Sequence, residues 1–169
     1  MWVSPDGVLA RCQRLHSGQE SPHGLDFCPA FWDWLIEADA ANTVFSIEKV
    51  GDEVAAGADE LSIWAAARGP EFFLTPNPRL LPALGSVSAW ATGQGYEQAA
   101  VNTFLQVADY YLVAHALAHG FTVVTHEVAT PSIRKIKIPN ACIGAGVRCM
   151  TPYEMLRLER ARFVLGRSA

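Results

Sequence analysis

The clearest hydrophobic pattern in the chain follows Asp109. Apolar side chains recur three, four, seven and eight positions after it, a spacing that places them on one face of a helix. Gly120 is the residue type that ends such a helix in a left-handed conformation. The apolar run from Phe121 to Val124 has the composition of a strand buried on both faces. The stretch therefore predicts a helix that begins beside Asp109, a glycine stop, and a buried strand that leads to Glu127.

The other hydrophobic patterns predict further helices and strands along the chain. Helical spacing or capping residues predict helices over residues 8–15, from Pro29, after a possible Ser46 cap, over 59–68, after Asn77, over 96–104 and over 155–163. Short strands are predicted at residues 1–3, 43–45, 72–74, 121–124, 133–138 and 147–150. This order predicts an α/β fold, a three-layer α/β/α sandwich with a mainly parallel sheet of four or five strands.

Composition limits the class of protein without naming a function. The length of 169 residues predicts one domain over residues 1–169, with an atypical segment at 1–24 that contains a polar loop at 17–24. Half of the residues are hydrophobic, which excludes wholesale disorder. The net charge of −4 excludes a global basic field for nucleic acid. No apolar run approaches the roughly 20 residues of a membrane span, and no secretory signal is visible. The four scattered cysteines favour reduced thiols, so we expect a cytoplasmic protein.

Motifs for zinc and for nucleophilic catalysis have weak support. His115 and His119 are four apart on the predicted helix and His126 follows the strand, but the glutamate of H-E-x-x-H is replaced by alanine. No G-x-S-x-G motif is present, and no glycine-rich loop follows a strand to hold a nucleotide. A zinc site formed by these histidines stays an alternative, since His115 and His119 would lie on one face of the helix.

Carboxylates carry the stronger chemical signal. Residues just beyond the carboxyl ends of parallel strands face the ligand crevice, and Glu127 has that position. Asp109 lies at the same edge if its helix runs antiparallel to the strand. Glu53 lies at the edge of an apolar helix stripe, where it belongs either to a solvated acidic face or to the crevice. Carboxylates from distant segments suit Mg²⁺ or Mn²⁺, which can activate water for attack on a phosphodiester.

A basic strip follows the acidic stretch. Arg134, Lys135 and Lys137 alternate with isoleucines, and the alternation predicts a half-exposed strand over residues 133–138. Such a strip either discourages aggregation at a sheet edge or contacts substrate phosphate beside the acidic crevice.

At these residues the chain resembles the PIN-domain superfamily of metal-dependent nucleases, which includes VapC-type toxins. Its pattern has an acid in the helix after the second strand, matched here by Glu53. A later helix opens with aspartate in a D-x-x-[LIV]-x-A-x-A-like run, which begins here at Asp109. The pattern ends with glycine, a short strand and T-x-D, matched by Gly120, Thr125 and, with glutamate in place of aspartate, Glu127.

The similarity spans about residues 25 to 165 and includes an aromatic segment at 26–35 like that of a bacterial branch of the superfamily. Family members usually open with a strand that ends in aspartate. Asp6 would take that place here, with Asp26 as the alternative substitute.

The resemblance implies a Mg²⁺- or Mn²⁺-dependent endoribonuclease, the toxin of a type II toxin–antitoxin pair. It implies that Glu53, Asp109 and Glu127 hold the metal, with Asp6 as a fourth ligand, and that the Thr125 hydroxyl orients a ligand or water. It also implies an RNA substrate, a small antitoxin protein that covers the crevice, and a homodimer. The alternatives are a catalytically degenerate PIN-like module that binds RNA or protein, and a phosphatase or DNA nuclease that uses the same acids.

Overall fold

Five short parallel strands form the central sheet of the protein. The structure is a computed structural model that describes residues 7–10, 28–57 and 59–163. The strands are β1 (Val8–Ala10), β2 (Val44–Ile47), β3 (Phe73–Leu74), β4 (Thr122–Val124) and β5 (Cys149–Met150). They lie in the order β3-β2-β1-β4-β5, and every adjacent pair is parallel.

Helices cover the sheet and complete a three-layer α/β/α sandwich, which confirms the predicted fold class. The described helices are α1 (Pro29–Ala40), α2 (Glu48–Ala55), α3 (Glu60–Ala66), α4 (Leu80–Gly93), α5 (Gln98–Gln106), α6 (Ala108–His119), α7 (Ile138–Ala145) and α8 (Pro152–Leu158). None of these described helices is both long enough and apolar enough to cross a membrane.

Helix α6 is the central helix of the described core. It contacts α2, α4, α5, α7, β2 and β4, and Leu112 and Val113 are fully buried in these interfaces. Gly120 ends the helix with φ of +73°, a conformation that costs little without a Cβ atom. Only Phe121 separates this glycine from β4, so α6 runs antiparallel to the strand and its N-terminus lies toward the carboxyl end of the sheet.

The strand order reverses beside β1. The chain proceeds from β1 through β2 to β3 in one direction, and β4 then pairs with the opposite side of β1, with Leu9 opposite Val123. In open α/β sheets, the crevice beyond the carboxyl ends of the strands at such a reversal is the usual ligand site. The topology therefore directs attention to the residues that follow β1 and β4.

Two predicted elements are wrong. Residues 8–10 form the central strand rather than the start of a helix, because three buried apolar residues do not distinguish a helix turn from a strand. Residues 133–137 form turns and loop rather than a strand, and α7 begins at Ile138. Pro139 explains the difference, since its fixed φ suits the first turn of a helix and it has no N–H for a sheet ladder.

The predicted helix cap at Ser46 is also wrong. Ser46 is not a helix cap but lies within β2, where its buried hydroxyl donates to the carbonyl of Ala10 at 3.0 Å. Thr151 and Glu154 form a reciprocal capping box at the start of α8. The strand predicted at residues 1–3, most of the helix predicted at 8–15 and the loop at 17–24 lie outside the described residues.

Candidate acidic site

Glu53 links helix α2 to the start of helix α6. Its carboxylate oxygen Oε1 accepts a hydrogen bond from the backbone N–H of Ala108 at 3.0 Å. Ala108 is the first residue of α6, and N–H groups of a first turn have no partner within their own helix. The carboxylate therefore supplies one of the missing acceptors and places its negative charge at the positive end of the helix dipole.

Asp109 follows Ala108 directly and borders the same cavity as Glu53. The cavity has a volume of about 480 Å³. Its lining combines acidic, basic and apolar side chains, from Glu53, Ala99, Ala100, Thr103, Phe104, Val107, Asp109, Arg134, Lys135 and Ile136. Two of the three predicted acids thus converge, and two of the three predicted phosphate contacts lie with them.

Glu127 is held close to α7 by hydrogen bonds to both of its carboxylate oxygens. Oε1 accepts from the Lys137 ammonium at 2.6 Å, and Oε2 accepts from the backbone N–H of Ile138 at 2.9 Å. The Glu127 N–H in turn donates to the Thr125 hydroxyl oxygen at 3.1 Å, so this buried threonine shapes the turn that carries the acid. The predicted role of Thr125 toward a ligand stays a prediction.

Lys137 connects Glu127 electrostatically to Asp109. The hydrogen bond to Glu127 is the largest of several effects that raise the pKa of Lys137 above its ordinary value, against the opposing effect of burial. The negative charge of Asp109 contributes in the same direction. The ammonium group is therefore stabilised chiefly by its contact with Glu127, and the negative charge of Asp109 adds to this effect.

The two carboxylates that line the cavity, Glu53 and Asp109, are of the type that binds a hard divalent cation. Among residues 7–10, 28–57 and 59–163, no group of three or more His, Cys, Asp or Glu side chains is arranged to hold an ion. Mg²⁺, however, commonly uses one or two carboxylates and completes its shell with water and substrate phosphate. Glu53 and Asp109 meet that requirement at one cavity, while Glu127 as a third ligand stays a prediction. Asp6 and Asp26 lie outside the described residues.

The basic residues differ in how firmly they are held. Arg134 forms an ion pair with Glu97 at 3.3 Å, and the two side chains are 82% and 46% exposed. Exposed pairs of this kind contribute little to stability, so Arg134 can leave Glu97 for a phosphate at small cost. Lys135 is exposed at the cavity, whereas Lys137 has a side chain only 26% exposed and is bound to Glu127.

Glu53→Gln and Glu53→Ala should separate the structural role of this residue from its charge. The glutamine retains an oxygen that can accept from Ala108, so we expect the free energy of unfolding to change by less than about 0.5 kcal/mol. The alanine removes the acceptor and should cost about 1 kcal/mol, as the loss of a helix cap does. Both variants should bind Mn²⁺ at least about fivefold more weakly, because each removes a charged oxygen ligand. Urea unfolding and Mn²⁺ titration would measure the two effects, and equal Mn²⁺ affinity in the wild type and Glu53→Gln would contradict the assignment.

The histidines are arranged for packing rather than for zinc. The Asn77 side-chain oxygen accepts from the Arg79 N–H at 3.0 Å, which turns its amide nitrogen toward Nε2 of His119 at 2.9 Å. His119 Nδ1 lies 2.9 Å from the carbonyl of His115, so it carries the proton and donates. Both ring nitrogens of His119 are engaged, and neither has a lone pair for a metal in this arrangement.

His115 should make the protein sensitive to acid. Burial and, secondarily, the nearby His119 lower its pKa from 6.5 to about 4. In the unfolded chain this histidine binds a proton below about pH 6.5, whereas in the folded chain it does so only near pH 4. The folded protein therefore has its full stability above pH 6.5 and loses stability as the pH drops toward 4. Between pH 7.5 and 5 we expect a loss of about 2 kcal/mol from this group, measured by urea unfolding. His115→Leu should lose less over the same interval, and an unchanged pH dependence in that variant would contradict the prediction.

One contact at the site carries no clear sequence signal. Glu127 and Lys137 are ten residues apart across a loop, so no helix or strand period connects them. The pairing depends on where Pro139 starts α7, and recognising that start would have been the way to find it.

The fold and the site together define an α/β protein with a parallel sheet and a cavity lined by acidic and basic side chains. The chain belongs to the family described as Domain of unknown function (DUF4411), whose profile matches residues 12–163. The comparisons with curated proteins and with solved structures found no match.

Proposed function

We propose that this protein is a Mg²⁺- or Mn²⁺-dependent endoribonuclease that hydrolyses RNA phosphodiester bonds. The observation that carries the proposal is the cavity shared by Glu53, Asp109, Arg134 and Lys135. Hydrolysis of a phosphodiester needs anionic groups for the metal and cationic groups for the phosphate within the same space. The resemblance of the acid pattern to the PIN-domain superfamily supports RNA as the substrate.

In this proposal, Glu53 and Asp109 hold the divalent ion through carboxylate oxygens. When bound, the ion would supply an activated water and neutralise charge on the phosphoryl oxygens. Arg134 and Lys135 bind and orient the phosphate backbone at the mouth of the cavity. Thr125 positions Glu127 by accepting a hydrogen bond from its N–H, and Glu127 in turn accepts a hydrogen bond from Lys137.

The partners implied by the resemblance belong to the same proposal. An antitoxin protein would cover the cavity and so block access of RNA to Asp109, and two copies of the chain would form a homodimer. We propose both on the strength of the resemblance, with the toxin role and the cytoplasmic location.

A second candidate is a PIN-like module that binds RNA or protein without catalysis. The ion pair between Lys137 and Glu127 favours it, because the ammonium already neutralises one of the carboxylates that were predicted to hold the metal. Under this alternative Arg134 and Lys135 still contact phosphate, but no bond is cleaved.

Metal-dependent cleavage by the purified chain distinguishes the two candidates. A mixed-sequence single-stranded RNA is incubated with the protein and Mn²⁺, with Mg²⁺, or with EDTA, and the products are sized. The nuclease proposal expects cleavage with either metal and none with EDTA. Binding of the RNA without cleavage, together with no measurable Mn²⁺ binding, would establish the module instead. A matched DNA oligonucleotide and a phosphomonoester test the other hydrolase classes.

A further inference from the structure

Cys142 and Cys149 place two thiols in contact between helix α7 and strand β5. Both are free thiols, and their side chains are hydrogen-bonded to each other. Cys142 is fully buried on α7, whereas Cys149 is half-buried on β5, a strand at the edge of the sheet. One thiol of the pair is therefore accessible from solvent, and the other contacts it from inside the protein.

The backbone holds the two cysteines together. Helix α7 ends in a left-handed turn at Gly146, with φ of +70°, and the Val147 N–H donates to the carbonyl of Cys142 at 2.8 Å. This turn leads the chain into β5, which pairs with β4 and places Cys149 opposite Val123. Hydrogen bonds of the helix end and of the sheet therefore determine the contact between the thiols.

The two thiols differ in how readily they lose a proton. The hydrogen bond from Cys142 lowers the pKa of Cys149, and it outweighs the opposing effects of burial and of the negative charges of Glu154 and Glu127. The same hydrogen bond, together with burial and the charge of Cys149, raises the pKa of Cys142. Cys149 is thus the member of the pair that forms a thiolate, which is the form of cysteine that reacts with oxidants.

We propose that Cys142 and Cys149 are a redox modification site, at which a hydroperoxide converts the two thiols into a reversible disulfide. The accessible sulfur of Cys149 reacts first and the buried sulfur of Cys142 resolves the product, an arrangement typical of cysteines that sense peroxide. The sulfur atoms are already in hydrogen-bond contact, so a short movement brings them to the S–S distance of about 2.05 Å. The modification goes beyond the proposed nuclease activity, because none of its steps uses a metal or the acidic cavity.

The reaction has two steps. The Cys149 thiolate attacks an oxygen of hydrogen peroxide, so that an S–O bond forms, the O–O bond breaks, and the departing hydroxide takes up the proton of the original thiol as water. The sulfur of Cys142 then attacks the sulfenic sulfur, so that the S–S bond forms, the S–O bond breaks, and the hydroxyl leaves with the Cys142 proton as a second water. The two sulfur atoms together lose two electrons, and one peroxide is reduced to two waters.

Trypsin gives a direct readout of this disulfide, because Arg148 separates the two cysteines. Complete digestion places Cys142 in the peptide 138–148 and Cys149 in the peptide 149–157. The full-length chain is treated with hydrogen peroxide, the remaining thiols are blocked with an alkylating reagent, and the unreduced digest is examined by mass spectrometry. We expect the two peptides to appear as one linked species that dithiothreitol separates.

Cys28 is the matched control, because it is also a half-buried free thiol but lies at the start of α1. At the same peroxide concentration, Cys149 should lose its reactivity toward the alkylating reagent at least about fivefold faster than Cys28, since thiolate character sets the rate. Equal rates for the two cysteines, or a digest without the linked peptides, would overturn the inference.

Cys142→Ser tests whether the buried thiol resolves the oxidised one. The serine hydroxyl can still donate to the Cys149 thiolate, but it cannot form a disulfide. Sulfenic acid at Cys149, trapped with dimedone, should therefore accumulate at least about tenfold above its level in the wild type. Equal trapping in the two proteins would overturn the inference, and Cys142→Ala takes the place of the serine variant if that variant does not fold.

Cys149→Ser tests the order of the two steps. The buried Cys142 should stay reduced in this variant under the same peroxide treatment, because the thiol that reacts first is missing. Alkylation of Cys142 after unfolding, followed by mass spectrometry, measures the reduced fraction. Oxidation of Cys142 at the wild-type rate would contradict the proposed order and overturn the inference.

Discussion

Asp109→Asn should reduce Mn²⁺-dependent RNA cleavage by at least about 100-fold. The asparagine keeps the shape of the side chain but removes the charged oxygen that binds the cation, and lost electrostatic stabilisation of this kind costs about 3 kcal/mol of activation free energy. The asparagine also gives up a favourable interaction of up to about 1 kcal/mol with the positive end of α6. Cleavage rates at saturating RNA, measured well below the melting temperature, would separate the chemical effect from this small loss of stability.

The matched control for Asp109→Asn is Asp52→Asn. Asp52 is exposed on α2, next to Glu53 in sequence, and the change removes the same charge. The control should cleave within about threefold of the wild type, because an exposed charge is screened by solvent. If the two variants cleave RNA equally well, Asp109 does not hold a catalytic ion and the nuclease proposal fails.

Glu53 and Glu127 also have structural roles, which determine the substitutions that are informative at these positions. Glu53 accepts from the first N–H of α6, and Glu127 accepts from the first N–H of α7. Each carboxylate therefore compensates a helix dipole at the same place where it could serve a cation. Alanine at either position would lose both functions together, so amide variants are the informative ones.

Much of the fold could be predicted because its strongest patterns are long and continuous. The apolar face that follows Asp109, the stop at Gly120 and the short run before Glu127 correspond to α6 and β4 within a residue or two. The central strand could not be predicted, because Val8–Ala10 is too short to show a period and its burial comes from β2 and β4.

The site was predictable only as a set of acids near one edge. Helix and strand directions in a parallel α/β fold predicted that Asp109 and Glu127 lie at the same edge. Glu53 was left between a solvated acidic face and the crevice, and it joined the other acids through the resemblance. The partner of Glu127 was not predicted, since Lys137 was expected on a half-exposed strand that either discourages aggregation or contacts phosphate. Its contact depends on a loop conformation that alternation of isoleucine and lysine does not encode.

Leu112→Ala should have the largest effect on stability. Leu112 is fully buried in α6, in the core formed by helix and sheet residues. Its truncation loses the transfer free energy of the deleted carbon atoms and leaves a cavity that rigid neighbours fill poorly, so we expect a loss of about 3 to 4 kcal/mol. Urea unfolding at pH 7.5, where the acid sensitivity expected from His115 is absent, would measure it.

Leu81→Ala is the matched control, because Leu81 lies on α4, which packs against α6, and is 73% exposed. The same truncation there should cost less than about 0.5 kcal/mol, as surface changes usually do. The folded fraction of Leu112→Ala should still bind Mn²⁺ with wild-type affinity, because Leu112 supplies packing and no ligand. Equal losses of stability in the two variants would mean that α6 is not packed as described. Asp109, one turn before Leu112 on the same helix, would then have no fixed position from which to meet Glu53.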